Sequence, residues 1–212
     1  MIEAVIWDFG GVLTTSPFEA FARFESEQGL PADIIRRTNA VNHLENAWAK
    51  FERAEVDLDA FDRLFAAESL ALGAEVRGKD ILPLLAGDLR PNMVAALRRI
   101  GENFKTGCIT NNLPSNRMGS VDGRSLYVAE VMELFDHVIE SAKIGLRKPD
   151  PRIYRMMVEA LDVDPQNCVY LDDLGINLKP ARELGMTTIK VVDADQAIAE
   201  LEAATGLSLR LA

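Results

Sequence analysis

Apolar and polar positions divide the chain into three parts with different patterns. A short apolar run at residues 4–7 predicts a buried strand, which ends at Asp8 and two glycines that favour a turn. From Pro17 to about Leu85, apolar residues recur at helical spacing, and no strand-like alternation interrupts them. After about Leu89, short apolar runs alternate with amphipathic stretches. The pattern therefore predicts one strand, then a block of helices, then alternating strands and helices.

The last part of the chain consists of repeated strand and helix units. Its predicted strands are residues 105–110, 135–139, 168–171 and 187–192, and its predicted helices are residues 91–100, 151–161, 178–184 and 193–204. Units of this size predict a parallel sheet with helices on both faces. The predicted fold class is therefore α/β, with a Rossmann-like, doubly wound parallel sheet in a core of residues 1–15 and 88–212. Residues 16–87 are predicted to form an inserted α-helical cap.

The charge of the chain limits the classes of partner that it can have. The formal net charge is −10, and no cluster of Lys and Arg is present, which argues against binding to nucleic acid. No basic leader and no apolar run near the roughly 18 residues that span a bilayer is found, so we expect a cytoplasmic chain without a membrane partner. We expect a monomer or a homodimer. An anionic substrate would require local positive charge from a metal ion or a lysine.

The cysteine and histidine residues give no support to two common kinds of site. Cys108 and Cys168 lie inside predicted strands, where buried free thiols are expected in a reducing compartment. His43 and His137 lie far apart, and no Cys or His stands near either at the spacing of metal ligands. The sequence therefore favours neither a structural zinc site nor a Ser-His-Asp enzyme.

Polar side chains follow the predicted strands at the edge of the sheet where ligands bind in parallel α/β folds. The candidates are Asp8, Thr110, Asn111, Lys148, Asp172 and Asp173. Because the carboxyl ends of parallel strands point the same way, we expect these side chains to share one crevice. The sequence therefore predicts a site that combines carboxylates, hydroxyl and amide donors and one ammonium group.

The chemistry of this set favours phosphoryl transfer with a divalent cation. Carboxylates that lie close together repel one another, and Mg²⁺ relieves the repulsion by accepting oxygen ligands from one or two of them. A phosphoryl group can then bind between the metal and the donors of Thr110, Asn111 and Lys148. Asp8 is placed to attack phosphorus and to form an aspartyl-phosphate. The expected substrate is a small phosphorylated molecule.

Four short motifs in this order resemble those of the haloacid dehalogenase superfamily of hydrolases. The motifs are Asp8-Phe9-Gly10-Gly11-Val12, Ile109-Thr110-Asn111, Lys148-Pro149 and Leu171-Asp172-Asp173, and the predicted helical insert occupies the place of that family's cap. The resemblance covers nearly the whole chain. It implies the family's core fold and a Mg²⁺-dependent phosphatase activity.

The resemblance also implies a role for each motif residue. Asp8 would be the nucleophile, and Mg²⁺ would be held by Asp8, by the backbone carbonyl of Gly10 and by Asp173. Asp172 would assist the metal directly or through water. The phosphate would be bound by Thr110, Asn111 and Lys148, and Lys148 would also belong to the catalytic set.

One position departs from the family's phosphatases. They usually carry a second Asp two residues after the nucleophile, which acts as general acid and base, and here that residue is Gly10. A positioned acid or base contributes about 10²–10⁴ in rate. Its loss leaves a slow phosphatase, an acid supplied by Glu45 or His43 of the cap, or a substrate whose leaving group needs no proton.

Three other functions remain open at this point. A 2-haloacid dehalogenase releases halide without a proton or a metal, although the Asp172-Asp173 pair would repel its anionic substrate. A phosphonate hydrolase would use a cap lysine as a Schiff base, and Lys50 is the candidate. A non-catalytic, phosphate-binding regulatory protein would keep the metal carboxylates without an acid.

Overall fold

The core of the protein is a parallel β-sheet. The computed structural model describes residues 1–111 and 123–209, and the sheet in these residues has five strands in the order β3-β2-β1-β4-β5. All four neighbouring pairs are parallel. The strands are β1 (Ala4–Trp7), β2 (Lys105–Thr110), β3 (His137–Glu140), β4 (Cys168–Asp172) and β5 (Thr187–Lys190). The predicted α/β class with a parallel sheet is therefore confirmed.

The segment between β1 and β2 is largely helical. It contains α1 (Phe18–Glu27), α2 (Ile34–Ala40), α3 (Ala47–Glu52), α4 (Leu58–Ala71) and α5 (Gly78–Ile81), followed by a 3-10 turn at Leu82–Leu85. Two helices begin at side-chain caps, because Asn46 accepts the N–H of Ala49 and Asp57 accepts the N–H of Ala60. The helices bury a separate apolar cluster in which the rings of Phe51 and Phe61 stack at 4.4 Å.

Helices cover both faces of the sheet. They are α6 (Pro91–Gly101), α7 (Gly123–Met132), α8 (Ser141–Ile144), α9 (Pro151–Leu161), α10 (Gly175–Glu183) and α11 (Ala194–Thr205). The β1 side chains alternate between the faces: Val5 and Trp7 pack with α6 and α11, and Ala4 and Ile6 pack with α9 and α10. Helix α10 begins three residues before the predicted residue 178 and carries Pro180 inside it.

Two antiparallel chain segments connect the helical segment to the sheet. Thr14 and Leu89 form a bridge, and the N–H of Arg90 donates to the carbonyl of Leu13 at 2.8 Å. The predicted division into a core of residues 1–15 and 88–212 and a cap of residues 16–87 stays a prediction. Within the described residues, no helix combines the length and the apolar character needed to cross a bilayer.

Candidate active site

The register of the sheet brings the first and fourth motifs together. Trp7 of β1 pairs with Leu171 of β4, so the residues that follow them, Asp8 and Asp172, lie side by side at the carboxyl edge. The N–H of Asp8 donates to the carbonyl of Leu171 at 2.8 Å, which fixes this alignment. Thr110 ends β2, the neighbour of β1 on the other side. The strand ends therefore meet as the sequence predicts.

Three carboxylates and one ammonium group form the centre of the site. Asp8, Asp172 and Asp173 each place a carboxylate oxygen within 4.8 Å of the other two. The Nζ of Lys148 lies 2.7 Å from Oδ1 of Asp8 and 2.8 Å from Oδ2 of Asp172. Because Lys148 is only 1% exposed, its ammonium is held between the two carboxylates with little access to water.

The electrostatics of this cluster show an excess of negative charge. Burial raises the pKa of Asp8 well above its usual value, Lys148 opposes the rise, and the charges of Asp172 and Asp173 add to it. Burial also raises the pKa of Asp173, to about 6, with a further contribution from Asp172 and an opposing one from Lys148. For Lys148, burial alone would lower the pKa, but Asp172 and Asp8 raise it overall, so the ammonium stays charged. One ammonium cannot neutralise three carboxylates, and a cation would relieve the surplus.

Hydrogen bonds from β4, the loop after it and α10 hold the carboxylate of Asp172 in place. The hydroxyl of Tyr170 donates to its Oδ2 at 2.5 Å, the N–H of Leu174 donates to Oδ1 at 2.8 Å, and the amide of Asn177 donates to Oδ1 at 3.0 Å. With Lys148 also bound to Oδ2, both oxygens of Asp172 already accept hydrogen bonds. The structure therefore shows Asp172 as an anchor for Lys148.

The side-chain contacts of Asn111 differ from those expected of a residue whose side chain binds the substrate. Its Oδ1 accepts the N–H of Lys148 at 2.8 Å, and its Nδ2 donates to the carbonyl of Lys148 at 3.1 Å. The carboxamide therefore fixes the backbone at Lys148 and leaves the main chain of Asn111 for any contact with a phosphate. Thr110 is 9% exposed, and its hydroxyl makes no hydrogen bond within the described residues.

The structure requires glycine at only one of the two glycine positions that follow Phe9. Gly11 has a positive φ of 76°, and a Cβ there would lie 2.3 Å from Oδ2 of Asp173, so this carboxylate packs directly against the glycine. Among the described residues other than Phe9 and Gly11, no heavy atom lies within 4 Å of a Cβ placed on Gly10. The structure therefore requires glycine at residue 11 and leaves room for a side chain at residue 10.

The helical segment contacts the core next to Lys148. Nε of Arg147 lies 2.5 Å from Oε2 of Glu52 at the end of α3, and its Nη1 donates to the carbonyl of His43 at 2.7 Å. The hydroxyl of Ser141 donates to the carbonyl of Glu52 at 2.9 Å. Indole Nε1 of Trp48 donates to Oε1 of Glu52 at 2.9 Å. Glu45, named above as a possible acid, instead has a largely exposed side chain that pairs with Arg53 at 3.7 Å.

Several residues near the site were missed by the sequence analysis. Tyr170 could have been found, because it lies two residues before Asp172 on one strand and so points to the same face. Arg90, half-buried before α6, carries a charge that opposes the rise which burial causes in the pKa of Asp173. Glu52 and Arg147 meet across 95 residues of sequence. No local pattern marks Arg90, Glu52 or Arg147, because each looks like an ordinary charge on a helix or loop.

This constellation defines the class of protein. Clustered carboxylates with a buried lysine at the carboxyl edge of a parallel sheet are suited to bind a divalent cation and an anionic group together. A family profile described as haloacid dehalogenase-like hydrolase matches residues 2–185. The chain therefore belongs to the haloacid dehalogenase-like hydrolases, and the resemblance seen in the four motifs is confirmed.

Similarity to individual proteins agrees with this assignment. Bifunctional epoxide hydrolase 2 of Sus scrofa is 33% identical over 223 residues, which cover 98% of this chain and 40% of that protein. The chain thus spans less than half of that relative. The protein named phosphatase MT3486 of Mycobacterium tuberculosis is 32% identical over 201 residues, covering 87% of this chain and 85% of that protein.

A solved structure shows the same fold. A HAD family enzyme of Bacteroides thetaiotaomicron, crystallised with magnesium and inorganic phosphate, matches with a TM-score of 0.59 and 20% identity. The match covers 90% of this chain and 94% of that one. At this identity the likeness establishes the fold alone.

Proposed function

We propose that the chain is a magnesium-dependent phosphatase that hydrolyses a small phosphomonoester through an aspartyl-phosphate on Asp8. The observation that carries the proposal is the contact of Lys148 with Asp8 beside two further carboxylates at the carboxyl edge of the sheet. The similarity to a phosphatase of comparable length supports it.

Asp8 is the nucleophile in this proposal. Its Oδ1 is engaged by Lys148 and by the N–H of Phe9 at 2.7 Å, whereas its Oδ2 accepts no hydrogen bond within the described residues. An oxygen that is not engaged can form the bond to phosphorus while the bond to the leaving oxygen breaks. Lys148 keeps the attacking carboxylate oriented and supplies positive charge to the phosphoryl oxygens.

The donor set fits Mg²⁺. Carboxylate and carbonyl oxygens are the ligands that this hard cation prefers, and the raised pKa values of Asp8 and Asp173 mark uncompensated negative charge between them. We assign the metal to Asp8, the carbonyl of Gly10 and Asp173, while Asp172 serves mainly to hold Lys148. When bound, Mg²⁺ would lower the repulsion between the carboxylates and the phosphate and would polarise the phosphoryl group.

The phosphate-binding groups lie around the same edge. The hydroxyl of Thr110 is available as a donor, and Lys148 adds its ammonium. Asn111 contributes by fixing the backbone of Lys148 and through its own main chain. This assignment keeps the three predicted residues and changes the means by which Asn111 acts.

The contacts of Lys50 disfavour one alternative. The charge of Lys50 acts on two carboxyl groups within the helical segment. The pKa of Glu55 is lowered mainly by its hydrogen bond with Arg53, with a smaller contribution from Lys50. Burial raises the pKa of Glu68, and the charge of Lys50 opposes that rise. A Schiff-base lysine for phosphonate cleavage would instead have to face Asp8. The excess negative charge of the site disfavours the dehalogenase alternative, because three carboxylates without a metal would repel the carboxylate of a haloacid.

The test is a phosphomonoester panel assayed with Mg²⁺ and with a chelator. We expect Asp8→Asn to lose activity almost completely, and Asp162→Asn, an exposed control whose left-handed backbone suits asparagine, to keep it. Mass spectrometry of the acid-quenched enzyme should detect phosphate on the peptide that contains Asp8. Equal rates for the wild type and Asp8→Asn would remove the catalytic role of Asp8.

A further inference from the structure

The space beside Gly10 bears on the kind of substrate that this site can cleave. Within the part of the chain that the structure describes, and apart from Phe9 and Gly11, no heavy atom lies within 4 Å of a Cβ at residue 10. Gly10 also has no positive φ, so its conformation does not require glycine. The backbone at residue 10 would therefore accept an acidic side chain, but the residue there is glycine.

Two carboxyl groups of the helical segment, those of Glu52 and Glu45, are already engaged by other side chains. Glu52 accepts the indole N–H of Trp48 on one oxygen and pairs with Arg147 through the other. Glu45 is turned toward Arg53. On the core side, both oxygens of Asp172 are occupied, and Asp173 is assigned to the metal. These groups are therefore poorly placed to protonate a leaving group.

We propose that the substrates of this site are phosphoryl compounds whose leaving group departs as a stable anion. This class comprises acyl phosphates and the phosphate esters of acidic hydroxyl groups such as phenols and enols. The inference rests on the proposed phosphatase function and narrows its substrate class. Phosphate esters of simple alcohols, whose alkoxides are strongly basic, would be poor substrates because none of these four carboxyl groups of the described residues is free to protonate them.

The bond changes balance without a protein acid. An oxygen of Asp8 bonds to phosphorus, the bond from phosphorus to the leaving oxygen breaks, and the leaving group keeps the electron pair as a carboxylate, phenolate or enolate. In the second step a water oxygen bonds to phosphorus, and the bond to Asp8 breaks and returns its electron pair to the carboxylate. One proton of the water stays on the attacking oxygen, and the other passes to another oxygen of the phosphate that forms.

The second step should also be slow, because the same four carboxyl groups of the described residues are not free to activate the water as a base. The aspartyl-phosphate would then accumulate during turnover of good substrates. Substrates with different stable leaving groups would share one kcat, set by the common intermediate. They would differ mainly in kcat/KM, which reports the first step.

The experiment measures kcat/KM for the wild type with acetyl phosphate, a series of substituted phenyl phosphates and glycerol phosphate. We expect log(kcat/KM) to fall steeply as the leaving group becomes more basic. Gly10→Asp should raise kcat/KM for glycerol phosphate by about 10²-fold or more. In this variant log(kcat/KM) should depend less steeply on the basicity of the leaving group. Gly10→Asn, which has the same shape but cannot transfer a proton, should keep the series steep.

The outcomes separate this inference from the proposed function. A shallow series for the wild type, or a folded Gly10→Asp variant that keeps the steep series, would overturn the inference while leaving the phosphatase function in place. Failure of every compound in the series to turn over, with no phosphate on Asp8, would instead contradict the phosphatase function itself. A steep wild-type series that Gly10→Asp flattens would support both.

Discussion

Arg147 and Glu52, at the end of α3, form a buried ion pair one residue before Lys148, with Nε and Oε2 2.5 Å apart. The two side chains are 16% and 8% exposed. Burial raises the pKa of Glu52, while Arg147 and the indole N–H of Trp48 oppose the rise. The pair therefore ties the helical segment to the loop that carries Lys148.

Removing one partner of this pair should destabilise the protein. We expect Glu52→Gln to lower the free energy of unfolding by about 3–5 kcal/mol, because Arg147 would be left buried without a counter-charge. Glu102→Gln, which breaks an exposed pair with Arg99, should cost about 1 kcal/mol or less. Urea unfolding measures both variants. Equal and small losses would show that the Glu52 pair does not hold the two parts together.

Gly11 should tolerate no side chain, because the Asp173 carboxylate lies where a Cβ would be. Gly11→Ala is expected to displace Asp173 and to weaken Mg²⁺ affinity by about 10–100-fold. Gly206→Ala is the matched control, since its φ of 72° imposes the same backbone strain with no heavy atom within 4 Å of a Cβ. Isothermal titration with Mg²⁺ compares the variants. A similar Mg²⁺ affinity in both would contradict the role given to Asp173.

Local sequence signals identify the strands, several helices and the residues at the strand ends. Residues 105–110 and 151–161 match β2 and α9 in full, because an apolar run between polar ends and a Pro at a helix start are unambiguous signals. The predicted start of α10 at residue 178 is wrong, because the helix starts at Gly175 and accommodates Pro180 inside it. The spacing of residues in the sequence also cannot show which carboxylate oxygens of Asp8, Asp172 and Asp173 already accept hydrogen bonds.

The partners of a side chain depend on packing between distant segments. Asn111 and Lys148 are separated by 37 residues, and only the folded sheet and its loops bring the carboxamide to the lysine backbone. For the same reason the sequence leaves open whether Asp172, like Asp173, contacts the metal directly. The structure separates them through the four donors that surround Asp172.

Asp172 and Asp173 should therefore give different phenotypes. Asp173→Asn is expected to raise the Mg²⁺ concentration needed for half-maximal activity by at least about tenfold, because a metal ligand is lost. Asp172→Asn should lower kcat and destabilise the fold by about 3 kcal/mol or more, since Lys148 loses a buried partner. Activity measured against Mg²⁺ concentration, with thermal unfolding of both variants, distinguishes the roles. Identical shifts in Mg²⁺ requirement would show that both carboxylates bind the metal.

Mg²⁺ binding should weaken in mildly acidic solution. Burial and the charge of Asp172 raise the pKa of Asp173 to about 6, so the folded protein without metal holds this proton more tightly than the unfolded chain does. The tighter binding of this proton stabilises the folded protein at low pH, and the stabilisation is lost as pH rises through about 6. Above that pH the ionised carboxylate is available to Mg²⁺, whereas below it the metal must displace the proton.

The expected result is a Kd for Mg²⁺ that rises by up to about tenfold for each pH unit below 6 and levels off above pH 7. Asp8, whose pKa is also raised by burial, adds to the same trend. Mg²⁺-induced stabilisation in thermal unfolding should accordingly be small at pH 5 and large at pH 7.5, with Ca²⁺ and ionic-strength controls at each pH. A Kd that stays constant between pH 5 and 7.5 would mean that Asp173 does not bind the metal, and the site would then have to be assigned without it.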